Sequence, residues 1–247
     1  MCADPSTGRW SAYHNSHPSL AERLAAIRAE GAAGLILPRT DPAKGQTLDE
    51  AAAKSRLAAL GVPVPKNRTC TPAEAPGIAA ALGFPVALKA LDPDLLHKSE
   101  AGGVRLNLRS QADVSQAVAA MQAACPTPQV LVERMAPAAM AEVMASVTTD
   151  PAVGRVMMLA GGGVQAELWS DQVLIAAPFT QAEIARALAR LKTSALIDGY
   201  RGRPAGDRAA LITALLALAC VDGDVEVNPI LVHEQGVTAV DAVMRLP

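Results

Sequence analysis

The stretch Phe84–Leu108, FPVALKALDPDLLHKSEAGGVRLNL, decides how the rest of the chain is read. Two apolar runs of strand length flank a segment longer than a hairpin needs. The first run, VALKA, carries Lys89, and the connecting loop carries His97, Lys98 and the pair Gly102 and Gly103. A lysine inside an apolar strand costs solvation unless it meets an anion. A desolvated ammonium is a good phosphate ligand, and adjacent glycines let backbone N–H groups turn toward one. His97 has the chemistry of a phosphoryl acceptor or an acid–base group, and equally that of an ordinary loop histidine.

The residues on either side predict a layered α+β protein. Thr47 with Glu50 and Thr71 with Glu74 have the spacing of capping boxes, opening helices that stop at Gly61 and Gly83. Ser110 to Ala124 reads as a further helix. The first half therefore runs helix, strand, strand, helix around the Lys89–Gly103 turn. Beyond the break at Pro126–Pro128, Gln129–Met135, Glu142–Val147, Val156–Ala160 and Val173–Ala177 read as strands. Thr180 with Glu183 starts a helix to about Leu196, and Asp207–Val221 a strongly apolar one. Upstream, a polar tail precedes a helix over Ser19–Glu30. The expected division is a tail and helix over 1–44, a first lobe over 45–128 and a second over 129–247.

Composition excludes several classes. The chain has 247 residues, 51% of them hydrophobic and 19% charged, and a mean hydropathy of +0.22, as expected of a globular protein with a full core. Only 2% are aromatic, too few for the stacking platforms of single-strand nucleic-acid binders. A net charge of −2 offers no field to attract nucleic acid or an anionic membrane. The four cysteines are dispersed, without a zinc or disulfide pattern. With no signal-like start and no apolar run of spanning length, the expectation is a cytoplasmic protein.

Two other regions bear on chemistry. Gly161–Ala166, GGGVQA, formally matches a dinucleotide-binding turn but leads into a strand and not a helix, so that reading fails. The terminal run VEVNPILV–HEQG–VTAVDAVM is more informative. If His233–Gly236 is a four-residue turn, the pairing is symmetric and Asn228 faces Asp241, with Asp224 and Glu226 on the same face. Such a patch of oxygen ligands suits Mg²⁺ bridging to phosphates, and is otherwise a solvated acidic face.

Together these stretches, with VLVERM, DPAVGRVMMLAGGGVQAELWSD and GYRGRP in the same order, resemble the ATP-grasp β subunit or β domain of the ADP-forming acyl-CoA synthetases, typified by acetate–CoA ligase. The resemblance spans roughly Leu48–Leu246 and implies an ATP-grasp fold, with nucleotide between two α+β lobes. By the same resemblance Lys89 would hold the ATP phosphates and Gly102 and Gly103 would form the phosphate-facing loop. Glu133, Arg134 and Met135 would be the adenine-reading hinge, and Glu142 would contact the ribose. Glu226, Asn228 and Asp241 would bind Mg²⁺, and His97 would be the phosphohistidine. Gly162, Gly163 and Arg201 would line the transfer region. The implied cofactors are ATP/ADP and Mg²⁺, and the implied partner is a CoA-binding α subunit in a hetero-oligomer. A non-catalytic nucleotide-sensing subunit and an ATP-grasp ligase using an acyl-phosphate are the alternatives.

Overall fold

The computed structural model describes residues 46–91, 102–162 and 171–247. His97, Gly163, the tail and the Ser19–Glu30 helix lie outside them. Two antiparallel sheets organise the rest. The smaller has the order β2 (Asn67–Cys70), β5 (Val130–Arg134), β3 (Val86–Ala90), β4 (Val104–Leu108). The larger runs β1 (Thr47–Leu48), β11 (Ala242–Arg245), β9 (Asp224–Val232), β6 (Ala141–Asp150), β7 (Gly154–Gly161), β8 (Gln172–Ala176), and β10 (Val237–Ala239) also pairs with β9.

Each sheet has its own core. Helices α2 (Ala75–Leu82) and α3 (Gln111–Ala124) cover the small sheet through Ala75, Ala79, Val114 and Met121. The large sheet packs on α4 (Gln181–Arg190), α5 (Ser194–Ile197) and α6 (Arg208–Ala219), which contribute Ile184, Leu188, Ile197, Leu211 and Leu215. The large, fully buried side chains are Leu, Ile, Met and one lysine, as the scarcity of aromatics requires. Among the described residues no helix is long and apolar enough to cross a membrane.

The lobes divide differently from the sequence expectation. Helix α1 (Glu50–Ala59) and Val62 belong to the large core, and β1 pairs with β11. Strand β5 instead lies inside the small sheet, between β2 and β3. The expected boundaries at 45 and 129 therefore shift to about Lys66 and Arg134, because strand pairing and not the Pro126–Pro128 break decides lobe membership. The cap of α1 also moves. Thr47 is extended in β1, and Asp49 caps instead, accepting from Ala52 N at 2.7 Å. The Thr180–Glu183 capping box is present as read. Its helix ends at Arg190, where the buried Asp171 carboxylate captures the amides of Lys192 and Thr193 at 2.7 and 2.8 Å. At the C-terminus of α6, the Arg155 guanidinium donates to the open carbonyl of Ala219 at 3.4 Å and, in the turn beyond it, to those of Val221 and Gly223.

Candidate functional site

Lys89 sits in a strand whose residues are all buried, so the sequence argument about its desolvation holds, but the anions it meets are the protein's own. Its Nζ donates to Glu50 at 2.6 Å, to Glu133 at 2.8 Å and to the Val240 carbonyl at 2.7 Å. An ammonium has three N–H donors, and all three are committed. Lys54, fully buried, donates to Glu50 at 2.9 Å and also bonds Glu133. Two lysines and two glutamates thus form a closed hub where α1, β3, β5 and the β10–β11 segment meet. It joins the small sheet to the large one.

Charge compensation decides the protonation states. Burial works against the charged form of Glu50, yet the ammonium groups of Lys89 and Lys54 outweigh it and lower its pKa from 4.5 to about 2. Burial likewise opposes Lys89, and Glu50, Glu133 and Asp241 together raise its pKa. A carboxylate depressed in the folded state stabilises above its unfolded value and loses that contribution as pH falls through the folded one. Glu50 is therefore expected to contribute on the order of 3 kcal/mol at neutral pH, lost between about 4.5 and 2. Urea unfolding at pH 7 and pH 3 checks this, and Glu50→Gln should flatten the difference.

The terminal hairpin has the register that the four-residue turn predicts. His233 N donates to Gly236 O, Val232 faces Val237, and Ala242 faces Val227. Asn228 accordingly opposes Asp241, its N–H donating to the Asp241 carbonyl at 3.1 Å. Against β6 the strand carries a bulge between the Val143 and Ala145 pairs, beside Asn228. Asp224 departs from the expected patch, because its carboxylate accepts from Thr148 Oγ1 and Thr149 N at 2.9 and 3.2 Å. What remains is Asn228, Asp241 and, two residues along the strand, Glu226. Among the described residues no three His, Cys, Asp or Glu side chains converge as a metal-binding group. The oxygen-only pair of Asn228 and Asp241 still fits Mg²⁺, which takes one or two carboxylates and completes its shell with water and phosphates. Lys89, bonded to Val240, is adjacent to this pair, so the fold unites two candidate sets read from opposite ends of the chain.

The expected hinge lines a groove of about 520 Å³ bounded by Val64, Lys66, Pro85, Asn107, Met135 and Thr238, among others. Its size suits a nucleoside. Arg134 N donates to Lys66 O and Met135 N to Pro85 O, both at 2.9 Å, so these two amides are committed. The Glu133 side chain is in the hub. Glu142 and Thr238 both pair with Leu231, which puts the expected ribose contact in the strand row of a groove residue.

Other expected residues are explained by packing. Gly162 N donates to Glu142 O at 2.7 Å, and a Cβ there would stand 2.9 Å from the Glu142 and Val143 backbone. A Cβ on Gly161 would stand 2.5 Å from Thr193 Oγ1. These two glycines serve close approach and present no free amides to an anion. Gly102 takes φ 76°, as a turn glycine does, and Gly103 O accepts from Ala90 N at 2.8 Å. Arg201, at φ 52°, stacks over Tyr200 in an exposed loop that Arg203 ties to Ala139. The hub partners Glu50 and Lys54 were missed by sequence reasoning. Their i, i+4 spacing on a helix with Lys54 among alanines was the available signal.

Comparison with known proteins places this geometry. An ATP-grasp domain model matches residues 40–246. A trans-feruloyl-CoA synthase from an unknown prokaryotic organism is 34% identical over 85% of this chain and 32% of its own length. The β subunit of the ADP-forming acetate–CoA ligase II of Pyrococcus furiosus is 30% identical over 80% of this chain and 90% of its own. The chain thus spans about a third of the first of these relatives and nearly all of the second. Among solved structures, a dinucleotide-forming acetyl-coenzyme A synthetase of Ca. Korarchaeum cryptofilum, in complex with coenzyme A and Ca-AMPCP, superposes with a TM-score of 0.75 at 27% identity, covering 91% of this chain and 99% of that one. A further structure of that synthetase, holding Mg-AMPPCP with its phosphohistidine segment pointing towards the nucleotide site, has a TM-score of 0.70 at 29% identity, over 81% and 93%. The chain belongs to the ATP-grasp family, among the β subunits and β domains of the ADP-forming acyl-CoA ligases.

Proposed function

We propose that the chain is the nucleotide-binding part of an ADP-forming acyl-CoA synthetase, taking MgATP or MgADP between its lobes and passing a phosphoryl group through His97. The observation that carries the reading is the meeting of the hinge groove, Lys89 and the Asn228–Asp241 pair along one seam. Asn228 and Asp241, with Glu226 beside them, would hold Mg²⁺, which when bound neutralises phosphate oxygens. Lys89 reaches a phosphate by exchanging one of its present partners, and the Val240 carbonyl is the uncharged one. The neutral His97 imidazole attacks the γ-phosphorus. The N–P bond forms as the bond to the β-phosphate oxygen breaks, and ADP leaves. The reverse reaction makes ATP. CoA and acyl chemistry belong to an α subunit whose docking delivers or removes the phosphoryl group.

Treatment with Mg²⁺ and γ-labelled ATP is expected to leave an acid-labile, base-stable label on the protein. A label lost in base and released by neutral hydroxylamine would instead indicate an acyl-phosphate. The full commitment of Lys89 to protein partners favours one rival, a nucleotide-sensing subunit without catalysis. That rival predicts MgATP binding with no label at all, with or without the α partner.

A further inference from the structure

The groove at the hinge has an unusual distribution of hydrogen-bonding groups. The amides of Arg134 and Met135, which would be the natural backbone readers of a base, donate to Lys66 O and Pro85 O. Thr238 Oγ1 is held at 3.1 Å by His233 Nε2, in a turn that Asp207 further ties down by accepting from Gly236 N. Lys66 and Arg134 offer donors only. Asn107 stands apart from these. It is exposed, lines the groove, and its carboxamide makes no hydrogen bond among the described residues.

Its backbone explains how it gets there. Strand β4 pairs Leu108 with Val86 and Arg105 with Leu88, so Leu106 and Asn107 together oppose Ala87. This is a β-bulge, and bulges re-aim side chains beside sites. Asn107 occupies the left-handed region at φ 59°, a conformation that asparagine tolerates better than most residues. A left-handed residue is retained at a cost unless something about the position requires it.

Taking the nucleotide-binding reading of this groove as given, we infer that Asn107 is the base-reading side chain. A carboxamide carries a donor and an acceptor side by side and pairs with a purine edge through two hydrogen bonds, as Asn does with adenine N6 and N7. With the Arg134 and Met135 amides committed, the strand opposite supplies the side chain for this task. Asn107 is thus a specificity-determining residue, and the bulge exists to present it.

Calorimetry of the full chain with Mg²⁺ and three triphosphates tests this. ATP is compared with purine riboside triphosphate, which lacks the 6-amino group, and with 7-deaza-ATP, which lacks N7. The parent chain is expected to prefer ATP to at least one analogue by about tenfold. Asn107→Gly keeps the positive-φ backbone and removes the side chain, and should bring both ratios to about one. Asn107→Asp, which retains only acceptors, should keep discrimination against the analogue lacking the amino group and lose that against 7-deaza-ATP. Unfolding midpoints of both variants report whether the strand is intact. A parent preference that persists in Asn107→Gly overturns the inference, as does a parent chain that binds all three equally. A parent chain that binds no MgATP overturns the nucleotide reading itself, a separate and distinguishable failure.

Discussion

Lys89→Met is expected to destabilise the fold by about 3–5 kcal/mol, the cost of leaving buried charges without their partner. The substitution preserves side-chain length, so the loss is electrostatic and not a cavity. It removes one of the two ammonium groups that face Glu50 and Glu133, and the Val240 carbonyl loses its donor. Combining it with Glu50→Gln restores one ammonium to one carboxylate in the hub, and the double variant should be more stable than the sum of the single losses predicts. Urea unfolding of the four proteins measures that coupling. Additive losses would show that the four groups do not act as a unit.

His97→Ala is expected to abolish phosphoryl labelling by γ-labelled ATP while MgATP affinity stays within about threefold of the parent. The separation matters because the two losses have different origins. Binding is assigned to the groove, Lys89 and the metal pair, whereas covalent transfer is assigned to one imidazole. Calorimetry and alkali-quenched labelling on the same preparation measure both. Label retained at the parent level removes His97 from the mechanism and leaves it a loop histidine.

How far the sequence could be read depended on the range of each interaction. The terminal hairpin was legible because turn length alone fixes register, and the symmetric pairing of Asn228 with Asp241 follows from four residues between two alternating runs. The Thr180–Glu183 box was legible for the same reason, its partners lying three residues apart. Thr47 had the same local signature and lost it to a strand partner, Arg245, near the other end of the chain. Strand β2, NRTC, was invisible because three of its four residues are polar and its pairing comes wholly from β5. Lys89 shows the limit most clearly. Its burial was readable from the apolar run around it, but the identity of the anion was not. Glu50 and Val240 lie 39 and 151 positions away, and no pattern in VALKA names them.

Those separations also impose a timetable on synthesis. The small sheet joins residues 67–134 and can pair as soon as they have emerged. One bond of the hub must wait, since Lys89 needs a carbonyl that the ribosome delivers about a hundred residues after β5, at roughly 5–20 residues per second. Until then Glu50 and Glu133, both earlier than Val240 in the chain, are the partners open to the Lys89 ammonium, and its third N–H has only water to meet. The last Lys89 bond to form is thus the one that ties the small sheet to the segment between β10 and β11.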